Sequence, residues 1–288
     1  MDNLIGFLFA ILWGSGGVAT KVGLRAGEPI ILAFYRFLLA GSLMFLFLYV
    51  LQRKTPMPSR SDWKKLAILG ILNNTLYTGC FYISSQYVSA GLLSLFVAIN
   101  PLLIAFLSAL LLKRKVLSQE IIGFLICFVG LLCASFPALS NAKATMTGIL
   151  ILTFGMICYS TASIFYAKMD VKLPKIAINT WQILIGGLLL LPVALLQQGR
   201  PTVYDLNFFA SVGWMGIVIS IGATMIWFHL LSKDTVRASQ WLYLSPIVGY
   251  VAAYFFLGEP ITNYAICGSL FVIAGLYIAK RQKLVQKV

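Results

Sequence analysis

The stretch from Val88 to Leu112, VSAGLLSLFVAINPLLIAFLSALLL, carries no charged residue and stops against Lys113-Arg114-Lys115. A helix needs about 20 apolar residues to cross a hydrocarbon core of about 30 Å. Lipid offers no partner to backbone N–H and C=O groups, so a run of this kind spans as a helix. Its centre is Asn100-Pro101. A proline there removes one backbone hydrogen bond and bends the helix. The pattern recurs 145 residues later, where Ser245-Pro246 occupies the same place and Leu257 matches Leu112. Two equivalent mid-span prolines predict a pair of gates, Pro101 and Pro246; the alternative is a static bend that shapes the bundle.

Outward from this stretch, charges, prolines and polar clusters cut the chain into ten apolar segments: 4–24, 30–51, 64–84, 88–112, 118–136, 147–168, 174–197, 207–231, 237–257 and 261–279. The 288 residues are 60% apolar and 10% charged, with a mean hydropathy of +0.92. Soluble domains carry about 25% charged residues, so a water-soluble enzyme is excluded. The net charge of +14 has no polar face on which to meet nucleic acid. No GxxxxGK[ST] loop is present, which argues against ATP-driven pumping by this chain. The cysteines Cys80, Cys127, Cys133, Cys158 and Cys267 fall in apolar runs without metal-ligand spacing and read as packing residues. The expected fold is an all-α membrane protein of ten transmembrane helices, with no cofactor.

Orientation follows from the distribution of Lys and Arg. With the N-terminus inside, seventeen basic residues fall in inner loops and the C-terminal tail, and four (Lys21, Arg25, Lys143, Arg200) fall outside; Arg36 lies within a span. Both termini are therefore expected in the cytoplasm. The first apolar run lacks the basic leader of a cleaved signal peptide and is kept as a mature span. A compact chain without an organelle-targeting extension points to a bacterial cytoplasmic membrane.

The offset of 145 holds along the whole chain. Phe9 meets Phe154, Pro29 meets Pro174, Gly41 meets Gly186, Pro56 meets Pro201, Gly123 meets Gly268 and Gly130 meets Gly275. Residues 1–143 and 144–288 thus read as two repeats. Each holds five spans, an odd number, so the second enters the membrane upside down. Inverted repeats build many secondary transporters, with the substrate near the midplane. The readings outside that class are a channel, a non-transporting receptor and a membrane-embedded enzyme. The last lacks its catalytic side chains: the one histidine, His229, lies near a span end, and the acidic residues lie in loops or at helix ends.

Polar and aromatic residues near span centres are candidates for substrate contact. Span three offers Asn73, Asn74 and Tyr77; Asn74, Tyr77 and Phe81 share a helical stripe. Span four offers Asn100, span six Tyr159 and Ser160, span eight Thr224 and Trp227, and span nine Trp241, Tyr243 and Ser245. Trp13, mid-span, is poorly explained by the interfacial aromatic belt. Arg36 lies about six residues into span two, roughly 9 Å deep at 1.5 Å per residue. It either snorkels to headgroups or faces water, a partner or an anionic substrate group. Gly123/Gly130 and Gly268/Gly275 each mark one helix face and predict close packing of spans five and ten.

Trp13-Gly14, Arg36-Phe37, Ala238-Ser239, Pro246, Gly258-Glu259-Pro260, Gly268 and Gly275, set in ten spans, resemble the drug/metabolite transporter superfamily and its EamA-type branch. The resemblance covers the whole chain. In one respect the chain departs from it: Arg114 stands where the first repeat of the family often has Glu, so Glu259 lacks a symmetric partner. The resemblance implies a transporter of amino acids, drugs or other metabolites. The expected function is movement of a small organic metabolite, with amino acids among the candidates, by alternating access. The alternative of the same architecture is a multidrug exporter of aromatic or quaternary cations. The expected partners are a small-molecule substrate and the lipid bilayer.

Overall fold

The computed structural model describes residues 2–112, 118–140, 145–196, 199, 201–233, 241 and 244–285. The described residues form helices and loops, with no strand among them. Helix α1 is Asp2–Gly14, resumed after Ser15 as Gly16–Gly23. Helix α2 is Pro29–Phe45, extended by the π-helical Leu46–Gln52. Helix α3 joins Arg60–Gly70, the π-helical Ile71–Thr78 and Gly79–Ser84. Helix α4 is Ala90–Ala98 followed by Asn100–Leu112, α5 is Ser118–Ser140, α6 is Met146–Lys168 and α7 is Lys175–Leu196. Helix α8 joins Leu206–Gly213, the π-helical Trp214–Ala223 and Thr224–Lys233, α9 is Ser245–Leu257 and α10 is Asn263–Val285.

Six helical stretches are long and apolar enough to cross a membrane: Leu4–Gly23, Pro29–Gln52, Arg60–Ser84, Met146–Lys168, Lys175–Leu196 and Leu206–Trp227. Shorter apolar helices lie at Ser118–Ala134, Ser245–Leu257 and Asn263–Ile278. The chain is a multi-pass membrane protein. Large apolar side chains on its outside, such as Leu125, Phe128, Leu132, Leu270 and Phe255, are the surface that lipid covers. Helix ends are fixed in the loops by side-chain caps. Ser59 and Asp62 form a reciprocal capping box on α3, Thr145 caps α6 and Asp205 caps α8. The Phe208 N–H and the Asn207 amide hold the Asp205 carboxyl below the usual carboxylate range.

The prolines behave differently from a simple bend. The helix is interrupted at Ile99, and Pro101 falls in the first turn of a new segment. Pro246 likewise falls in the first turn of α9, whose N-cap is Leu244. A first-turn proline costs little, because the N–H it lacks has no intrahelical acceptor there. Pro101 therefore starts a new helical segment instead of kinking a continuous one, while Pro246 sits in the first turn of α9, with residues 242–243 outside the described ones.

The glycines matched by the offset meet crosswise in the packing. A methyl group on Gly268 would lie 2.5 Å from the Gly130 carbonyl oxygen, and one on Gly275 would lie 2.6 Å from that of Gly123. Only glycine lets α5 and α10 approach this closely. Midway between the two pairs, the Cys127 thiol reaches the carbonyl of Val272, its counterpart at the same offset. The π-helical stretches of α3 and α8 overlap at that offset too.

At one end of the bundle Leu32, Ala33, Tyr82, Leu92, Leu93 and Leu95 are buried beside the loop that carries Glu259. Toward the opposite end, where α3 begins at Arg60 and α6 ends at Lys168, a smaller cluster buries Leu66, Leu69, Ala162 and Ile178.

Candidate functional site

A cavity of about 460 Å³ lies between the middle of the bundle and the Arg60 end. Proteins bind small ligands in cavities of about 300–1,000 Å³ lined by apolar walls and a few polar groups. Its walls come from both halves of the chain. Asn73, Asn74, Tyr77 and Thr78 line it from α3; Tyr159, Ser163 and Tyr166 from α6; Asn179 and Gln182 from α7. Ser220, Thr224 and Trp227 line it from α8, and Trp13 and Arg36 close it at mid-depth. The Tyr77 and Tyr159 rings meet with centroids 4.8 Å apart. Trp13, Phe9 and Trp227 form a stack, with centroid separations of 5.6 and 5.1 Å.

One wall is a chain of hydrogen bonds across four helices. The Asn73 amide donates to Gln182 Oε1 at 3.1 Å, and Gln182 Nε2 donates to Asn179 Oδ1 at 2.8 Å. Asn179 Nδ2 reaches the Ser220 carbonyl at 3.4 Å, and Arg36 Nε donates to Ser220 Oγ at 3.0 Å. Asn74 and Thr75 anchor α3 to α7 through the carbonyls of Gln182 and Gly186, both at 2.9 Å. The π-helical turn places Asn73 and Asn74 together on this wall: its wider turn brings neighbours in sequence to one face.

Arg36 does not run out to the headgroups. Besides Ser220, its guanidinium interacts with the hydroxyl of the buried Tyr82. Among the described residues it has no carboxylate partner; the ion pair found there is Lys21–Glu259, at 3.9 Å. An arginine in the bilayer interior costs about 2.5–3.5 kcal/mol on insertion scales. Here that cost is offset by hydrogen bonding, and among the described residues not by an opposite charge.

Two small chambers adjoin the main cavity and share Trp13 with it. The first, about 60 Å³, is lined by Arg36, Tyr77, Phe81, Ser94 and Ser245 among others. The second, about 30 Å³, lies between Phe9, Val97, Asn100, Tyr159 and Trp227.

The sequence model of the EamA-like transporter family matches residues 2–136 and again residues 146–280. This chain belongs to the EamA-like transporter family. An uncharacterized transporter of Archaeoglobus fulgidus is 27% identical, covering 96% of this chain and 97% of the relative. The protein PecM of Dickeya dadantii is 25% identical over 95% of this chain and 90% of its own length. A probable amino-acid metabolite efflux pump of Salmonella typhimurium is 25% identical over 96% and 94%. A crystal structure covering 96% of each chain superimposes with a TM-score of 0.66 at 16% identity, so the fold is shared.

Within this EamA-like chain, the predicted site residues Trp13, Arg36, Asn73, Asn74, Tyr77, Tyr159, Thr224 and Trp227 line the main cavity together. Asn100 and Ser245 lie in the side chambers. Ser160 is not on the lining; it is fully buried in the packing of α6. Trp241 packs against the buried cluster of Phe9, Ala223 and Leu230, lies against Gly6, and is not on the lining. Tyr243 lies outside the described residues. Asn179 and Gln182 were absent from the sequence prediction. Their signal is two amides three residues apart within the apolar run 174–197, hence on one helix face.

Proposed function

We propose that this chain is a ten-span secondary transporter, built of two inverted five-helix repeats, 1–143 and 144–288. It moves a small organic metabolite across a bacterial cytoplasmic membrane by alternating access. The observation that carries this reading is the cavity itself. It is lined by both halves, reaches mid-depth, and is walled off at the Glu259 end by packed apolar side chains. A sealed floor separates a transporter cavity from a channel. The crossed Gly123–Gly275 and Gly130–Gly268 approaches, with Cys127 on Val272 between them, support a pseudo-two-fold axis in the membrane plane. The basic residues clustered at the Arg60 end support cytoplasmic termini, hence a cavity open to the cytoplasm. No carboxylate lines the cavity among the described residues, which weighs against a permanent cation as cargo. The Salmonella relative named as an amino-acid metabolite efflux pump points to amino-acid-like cargo. Pro101 and Pro246, each in a first helical turn beside a side chamber, serve as paired hinges in this reading.

Reconstitution in liposomes tests it. Saturable uptake with counterflow of a preloaded metabolite is expected; linear, non-saturating flux through the protein rejects it. In a cysteine-free background, Met57→Cys is expected to label from the cytoplasm and Val203→Cys from outside. The reverse labelling overturns the assigned sides.

A further inference from the structure

The 60 Å³ chamber contains an unexplained group. Ser245 is 1% exposed, its Oγ has no hydrogen-bond partner among the described residues, and it sits on the chamber wall. An unpartnered buried hydroxyl is destabilising, so its presence asks for a ligand. It also stands at the start of α9, a helix whose N-cap makes no side-chain bond. A helix N-terminus presents free N–H groups and partial positive charge, which favours an anion. On the same chamber wall stands Arg36, permanently charged, its Nε committed to Ser220 and its guanidinium also meeting the Tyr82 hydroxyl. Its forked terminal nitrogens have the geometry that grips a carboxylate through two bonds.

We propose that this chamber is a carboxylate subsite, with Arg36 and Ser245 both on the wall around the bound group. The proposal rests on the transporter reading and sharpens it: the cargo bears a carboxylate, seated here, and its remaining body occupies the aromatic and amide-lined cavity beyond Trp13. The volume suits so small a group, since a single water needs about 10–15 Å³ on the same scale. The sister chamber has the same kind of helix start and an equally unpartnered atom, Asn100 Oδ1, at 5% exposure. Its wall holds no cation, however, and its orphan atom is an acceptor, which repels a carboxylate. The Ser245 chamber is therefore the anion site of the two.

The test uses formate, the smallest carboxylate, against formamide, on the purified full chain at constant ionic strength. Formate is expected to raise the melting temperature in a saturable way and formamide is not. Ser245→Ala is expected to melt at or above the wild-type temperature without ligand, because it deletes an unsatisfied hydroxyl, and to need several-fold more formate. Arg36→Lys is expected to weaken formate about tenfold, and Arg36→Gln further. Equal effects of formate and formamide on the wild type overturn the proposal. So does a Ser245→Ala variant that binds formate normally. If Arg36→Gln does not fold, Ser245→Ala and Arg36→Lys still decide. The assay asks nothing of transport: saturable counterflow without formate binding removes the subsite and leaves the transporter, whereas formate binding without counterflow does the reverse.

Discussion

Phe34 and Phe37 on α2 stand 145 residues before Asn179 and Gln182 on α7. Asn74 on α3 likewise corresponds to Ile219 on α8, inside π-helical stretches that overlap at the same offset. The backbone motif is repeated, but the chemistry hung on it is not. Between α3 and α7 the side chains are amides, joined in a hydrogen-bonded wall with water-sized space beside it. Around α2 and α8 the corresponding side chains are apolar, and Phe37 is 2% exposed. Both sets meet at one cavity, since Phe37 and Ile219 lie on its wall with the amides, so the corresponding positions give it a polar side and an apolar side.

The strongest test of this contrast puts an amide on the apolar side, at Phe37. Phe37→Asn removes a buried ring and installs an amide without a designed partner. Deleting a buried phenyl group costs about 3–5 kcal/mol. The variant is expected to lose most of its thermal stability in detergent. A loss below about 1 kcal/mol would mean that the buried Phe37 ring is not what holds α2 in the bundle.

The converse experiment removes the amides from the polar side. Gln182→Leu strands the Asn73 amide and Asn179 Oδ1, at about 1–3 kcal/mol for groups left unpaired. Adding Asn179→Leu removes one of those orphans. The double variant is expected to be less destabilised than the two single losses summed, and both are expected to lose transport. Additive losses in unfolding experiments would show that these amides do not act as a chain.

How much of this was visible beforehand depends on what each residue's role rests upon. Span positions follow from apolar length and the placing of charge, both one-dimensional quantities. Trp13, Arg36, Asn73, Asn74 and Tyr77 stand out because lipid tolerates none of them idly at mid-depth. Facing is different, because it depends on the rotation of each helix about its axis. Ser160 lies beside Tyr159 in sequence, yet one is fully buried in α6 packing while the other lines the cavity. An ideal 3.6-residue period brings Asn74, Tyr77 and Phe81 to one stripe but gives no reason to add Asn73; the π-helical turn does. Nor does the rule that proline bends a helix distinguish a kink from the first-turn placement seen at Pro101 and Pro246.

Those prolines give a smaller effect. Pro→Ala in a first turn forfeits mainly the restriction on the unfolded chain, about 0.4–1 kcal/mol. Pro101→Ala and Pro246→Ala are therefore expected to fold and to bind normally, while changing the turnover rate of counterflow, since hinges absorb the dihedral change of opening. Equal loss of affinity with an unchanged rate would make them walls of the side chambers instead.

The smallest expected energy belongs to the contact that ties the packed end together. Gly258 takes φ +67, a left-handed turn that suits glycine, and it swings Glu259 back over the bundle. Both Glu259 oxygens accept the Ala90 N–H, at 3.1 and 3.0 Å, and Lys21 stands 3.9 Å away. One carboxylate thus joins α1, the start of α4 and the end of α9. Glu259→Gln keeps an acceptor for Ala90 but loses the charge. Partly exposed ion pairs are worth about 0–1 kcal/mol, so the melting temperature should barely move. A two-state equilibrium responds differently: 1.4 kcal/mol is tenfold in population, and even half of that is about threefold. A cysteine at Ala26, 1% exposed at this end, is therefore expected to label about threefold faster from outside in the Glu259→Gln background. Lys21→Gln should act in the same direction, more weakly, because it leaves the Ala90 bond intact. Unchanged labelling in both would reduce Glu259 to a helix cap and leave the apolar core alone to keep this end shut.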